Sequence, residues 1–132
     1  MTTDYGFRAT LNVPYEQAVE KATAALKEEG FGVLTEIDVK ATLKKKLDAN
    51  FRRYVILGAC NPNLAYQALQ NELEIGLLLP CNVIVYETEE NRSVVSIVDP
   101  ISILGVAKSP KLDAVAQEAR TRLQRVIETL GA

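Results

Sequence analysis

The chain has 132 residues, is 48% apolar and 24% charged, and carries a formal net charge of −2, figures that describe one compact soluble domain and no second one. It contains no histidine and no tryptophan, which excludes a Ser-His-Asp triad, a Cys-His pair, a histidine-bound zinc or haem and an imidazole pH switch. Its two cysteines, Cys60 and Cys81, are too few for a four-cysteine zinc site or a secreted disulfide framework.

Phe7 to Leu11 alternates apolar and polar residues and predicts a first strand. Asn12 is expected to cap a helix with Pro14 in its first turn. Tyr15, Ala18, Val19, Ala22, Ala25 and Leu26 keep one face of that helix, and Gly30 supplies a left-handed stop. Phe31, Val33, Thr35 and Ile37 alternate along a second strand ending at Asp38. Asp38 then caps a short helix whose Val39, Leu43 and Leu47 lie four apart, turning Lys44, Lys45 and Lys46 outward. Arg53 to Cys60 is apolar and β-branched enough for a third strand.

Asn61-Pro62 is a cap followed by a proline, and predicts a helix to about Leu73 with Leu64, Ala65, Ala68 and Leu69 inward. Ile75 to Leu79 reads as extended chain or a tight turn. Cys81–Thr88 and Ser93–Asp99 read as two strands of a hairpin. Asp99-Pro100 opens a connection, Ile101–Ala107, that is apolar for a loop. A pocket cap, a contact between copies and a helical turn tucked into the core all stay open for it. Ser109-Pro110 starts a final helix with Leu112, Val115, Ala116, Ala119, Leu123, Val126, Ile127 and Leu130 as its stripe, ending at Gly131. The fold expected is an α+β two-layer sandwich: a mainly antiparallel sheet with two long helices from opposite ends of the chain.

The charge is segregated. Residues 40–53 hold a net +5, flanked by −4 over 1–39 and −5 over 54–99. No aromatic residues interleave with the lysines, and the chain as a whole is acidic, so no nucleic-acid partner is expected. The longest apolar stretch, Ile75 to Tyr86, is shorter than the ~20 residues of a membrane helix and is broken by Gly76, Pro80 and Asn82. With no export or anchor signal, a cytoplasmic location with reduced thiols is expected and no membrane partner.

Three features could carry chemistry. Cys60 ends a strand one residue before a helix start, where unpaired N–H groups favour a thiolate, and Cys81 opens another strand. If those strands are antiparallel neighbours the thiols approach. They then suit sulfur transfer, redox work or Cu(I), or are simply buried hydrophobes. Glu36 and Asp38, two apart on a strand, share a face as an acid/base pair or cation site, or else are a solvated residue and a cap. No phosphate loop, dinucleotide fingerprint or nucleophile elbow is present, and no cofactor is expected.

At Gly30-Phe-Gly-Val-Leu-Thr-Glu-Ile-Asp-Val39, Leu57-Gly-Ala-Cys-Asn-Pro62, Ile75-Gly-Leu-Leu-Leu-Pro-Cys-Asn-Val83 and Asp99-Pro100 the chain resembles the domain-of-unknown-function 302 family. The resemblance covers Tyr5 to the final helix. It implies a small α+β domain of order β-α-β(4)-α, similar to the TATA-binding-protein architecture, in a prokaryotic cytosolic homodimer with no established activity. The family's pattern falls here on Glu36, Asp38, Cys60, Asn61, Pro62, Leu79, Pro80, Cys81, Asn82 and Asp99. The function expected is a homodimeric ligand-binding or interaction module. Its site would lie near Cys60/Asn61, Cys81/Asn82, Glu36/Asp38 and Asp99, and would take a small anionic or carbonyl-bearing ligand.

Overall fold

The computed structural model describes residues 5–131. Five strands, β1 (Gly6–Leu11), β2 (Gly32–Asp38), β3 (Tyr54–Cys60), β4 (Cys81–Glu89) and β5 (Arg92–Val98), form one sheet in the order β1-β5-β4-β3-β2. Every neighbouring pair is antiparallel. Five helices accompany them: α1 (Tyr15–Glu28), α2 (Val39–Leu47), α3 (Pro62–Asn71), α4 (Pro100–Leu104) and α5 (Asp113–Gly131). The α+β class and the β-α-β(4)-α order with short helical insertions stand as the sequence suggests.

Alternation builds the core. Phe7, Ala9 and Leu11 on β1, Val55, Leu57 and Ala59 on β3, Val83 and Val85 on β4, and Val95 and Ile97 on β5 point to one face. There they meet Ala18, Ala22, Ala25 and Leu26 of α1 and Ala119, Leu123 and Val126 of α5. Small alanines on α1 let that helix lie close to the sheet, and burying such side chains supplies the main drive to fold, at roughly 25 cal/mol per Å² of apolar surface. A second cluster gathers Ala68 of α3, Ile75, Leu104 of α4, Leu112, and Val115 and Ala116 of α5.

Local chemistry departs from the expected pattern at several points. Asn12 is not a cap: α1 begins at Tyr15, and Pro14, whose ring fixes its φ, precedes it with no side-chain cap. The Ile75–Leu79 stretch is mostly a 3₁₀ segment, Leu73–Leu78. The connection after Asp99 is α4 followed by a 3₁₀ turn, and Leu104 is buried. A 3₁₀ turn at Pro110–Leu112 precedes α5. Along β2 the alternation breaks, because Val33 pairs with Ala59 while Thr35 pairs with Gly58. Two residues, Leu34 and Thr35, thus oppose one, as in a β-bulge. The bulge turns Thr35 and Ile37 to the opposite face from Val33 and leaves β2 an exposed edge strand.

Candidate functional site

The junction from β3 to α3 is built by its own residues. Asn61 is the N-cap of α3, its Oδ1 accepting from the Leu64 N–H at 3.2 Å, and Pro62 occupies the first helical position. Gly30, at φ +83°, passes so close that a Cβ there would lie 3.0 Å from Asn61 Nδ2 and 3.3 Å from an Arg122 guanidinium nitrogen. Gly58 makes a second close approach, since its Cβ would lie 2.8 Å from the Pro80 ring and would clash with Thr35 Oγ1. The Leu79–Pro80 peptide is cis.

Around this junction lies a cavity of about 330 Å³ at the seam of the two core clusters. The sheet gives it Ala59, Cys60 and Cys81. Residues flanking and on β2 give Phe31, Leu34 and Thr35, and the helices give Asn61, Leu64, Ala65, Ala68, Leu69, Leu104, Val115 and Ala119. Gly76, Leu79 and Pro80 complete the wall. Among the described residues no charged side chain lines it. The volume sits at the low end of the ~300–1,000 Å³ of small-molecule sites.

Ala59 pairs directly with Cys81 across β3 and β4, so both thiols stand at one end of the sheet and border the same cavity. Burial raises the pKa of the Cys60 thiol. Burial and then the neighbouring Cys60 push Cys81 up to about 11. Burial thus disfavours the thiolate at both positions, against whatever favour a helix start lends it.

The remaining candidate residues stand elsewhere. Glu36 and Asp38 pair with Leu57 and Val55, farther along β3 from Cys60. Asp38 caps α2, accepting from the Ala41 N–H at 2.9 Å. Burial, and then the charges of Asp38 and Glu36, raise the pKa of the Tyr15 phenol. Asn82 projects to the other face from Cys81 and borders a separate recess of about 170 Å³ with Leu77, Pro80, Val98 and Ile103. Asp99 caps α4 through the Ile101 N–H at 2.9 Å and pairs with Arg120 at 3.4 Å. Cys60, Asn61 and Cys81 are thus brought together, while Glu36, Asp38, Asn82 and Asp99 are not brought to the cavity. Among the described residues no group of three or more Cys, Asp or Glu side chains gathers as metal ligands.

The sequence gives no local sign of Phe31, Ala65, Val115 or Ala119 as site residues, because each reads as ordinary core of its own element, nor of Leu34, which falls on the opposite face of the expected second strand with Gly32 and Glu36. The apolar Ile101–Ala107 connection was the one usable signal, and its Leu104 does line the cavity.

Fold and site together define a small antiparallel α+β domain with an apolar cavity where β3 meets α3. The sequence matches the family described as "Domain of unknown function DUF302" over residues 7–130. The chain belongs to the DUF302 family. A crystal structure of an uncharacterised conserved DUF302 protein from Bacillus stearothermophilus is similar to it, with 28% sequence identity and a TM-score of 0.87, covering 97% of this chain and 99% of that one. No curated protein matches the chain. No helix among the described residues is long and apolar enough to cross a membrane.

Proposed function

We propose that the chain is a small-ligand-binding module, working as a homodimer in the cytoplasm, with its site in the cavity bounded by Cys60, Asn61 and Cys81. The observation that carries this reading is the cavity itself: about 330 Å³ of apolar space beside a buried amide and two thiols. An apolar cavity of this kind takes up an apolar guest. The competing thiol chemistry, sulfur transfer or Cu(I) binding, has less support because burial disfavours the thiolate at both cysteines.

A second copy fits the exposed edge of β2. Among the described residues only β3 pairs with that strand, and Leu34 and Ile37 on it are 69% and 49% exposed. Antiparallel pairing of two such edges would set the lysines of α2 beside Glu28 at the C-terminal end of the partner's α1, where both the carboxylate and the helix dipole are negative.

Thermal unfolding with benzene as the guest tests the ligand reading. A guest that binds only the folded chain raises its melting temperature with concentration. The expected rise occurs in the native protein and is lost in Ala65→Leu, which fills the cavity from the partly exposed side of α3. Equal rises in both would remove the reading.

A further inference from the structure

Resting on the cavity as the site, we infer that its ligand is a neutral, largely apolar molecule with one carbonyl oxygen, which accepts a hydrogen bond from Nδ2 of Asn61. Asn61 is 7% exposed and lines the cavity. Its Oδ1 is occupied by the Leu64 N–H, which fixes which side of the amide carries the nitrogen. Nδ2 has no hydrogen-bond partner among the described residues, and a guest that displaced water from it without accepting its hydrogen bond would leave a costly unpaired donor. Asn61 borders a cavity whose other walls are apolar side chains, thiols and one threonine, so a single acceptor on an apolar body satisfies it.

The charge of the ligand follows from the same walls. A carboxylate entering the cavity would lose its hydration with no cationic side chain among the described lining residues to replace it. The Arg122 guanidinium beside Asn61 is engaged by Glu118 and the Glu29 carbonyl. The start of α3 does not supply the missing positive charge. Pro62 has no N–H, the Leu64 N–H is held by Asn61 Oδ1, and the Ala65 N–H bonds the Asn61 carbonyl at 2.9 Å. The free N–H of that turn belongs to Asn63, an exposed residue outside the cavity wall. Of an anion and a neutral carbonyl compound, the geometry selects the second.

Three probes of similar size separate the possibilities: acetophenone, ethylbenzene and benzoate, each titrated against amide shifts of native protein and of Asn61→Asp. Aspartate keeps a capping oxygen for Leu64 but has no donor to give a ketone. Asn61→Ser, which also keeps a capping oxygen, serves as a second variant should the first fold poorly. Both neutral probes are expected to bind the native protein and benzoate to show no saturable binding. The ratio of acetophenone to ethylbenzene affinity is expected to fall about tenfold in the variant, the size of one lost buried hydrogen bond. Benzoate binding as tightly as acetophenone, or an unchanged ratio in both variants, would overturn the inference while leaving the cavity as a site. If neither neutral probe binds the native protein, the site reading fails and this inference with it.

Discussion

Cys81 is the residue whose surroundings speak most directly against thiol chemistry. Its folded pKa of about 11 stands above the ~8.5 of an unfolded thiol. As pH rises through that interval the unfolded chain loses this proton first and so binds fewer protons than the native one. Stability from this group is therefore complete below about pH 8.5 and drains away as pH climbs toward 11, by roughly 3–4 kcal/mol in all. Urea unfolding between pH 8 and 10 is expected to show a steeper loss in native protein than in Cys81→Ser, and parallel curves would contradict the assignment. Gly58 makes a steric prediction at the same scale. Its missing Cβ leaves the space that Thr35 and the Pro80 ring occupy. Gly58→Ala should cost about 1–3 kcal/mol by overpacking, read from the urea midpoint.

At the scale of elements, capping decides where the cavity wall begins. Replacing Asn61 by alanine removes the N-cap of α3 and should cost about 1 kcal/mol, whereas Asn61→Ser, which keeps a neutral capping oxygen, should lose much less in thermal unfolding. Equal losses in both would show that the cap is not what matters at that position. The caps Asp38 and Asn61 were readable because each precedes a predicted helix and accepts a backbone N–H three residues on, whereas Asp99 caps α4 where the sequence reads as a loop. Strands β3, β4 and β5 were readable because their alternation is regular and both faces are filled as it requires. The bulge in β2 was not readable. Nothing in Gly32-Val-Leu-Thr-Glu announces that Leu34 and Thr35 share one partner, since register belongs to the pair of strands and not to either alone. The start of α1 was misplaced for a related reason: Asn12 has the chemistry of a cap, but Pro14 already sets the entry geometry.

For the whole molecule, the segregation of charge along the sequence becomes segregation in space. The lysines of α2 project from an element with no buried residue, beside an edge strand that offers Leu34 and Ile37 to solvent. An edge of that kind pairs with another chain unless something blocks it. Sedimentation should therefore show a dimer at micromolar concentration, and Ile37→Lys should shift it to monomer without loss of secondary structure. A native protein that sediments as a monomer would contradict the β2 interface. The cavity is also a property of the whole. Phe31 and Ala119 are 88 positions apart in the chain yet line one space, and no window of the sequence contains both. Only the cysteine–asparagine corner, which depends on the β3–β4 pairing that sets Ala59 beside Cys81, and the apolar connection that brings Leu104 could be anticipated.

The central claim, that this cavity is a ligand site, is tested most directly by mapping amide shifts during a titration with benzene. Saturable shifts are expected at Ala59, Leu64, Ala65 and Ala119, residues that meet only in the folded cavity, and they should disappear in Ala65→Leu. Shifts scattered over the surface, or persisting unchanged in that variant, would contradict it.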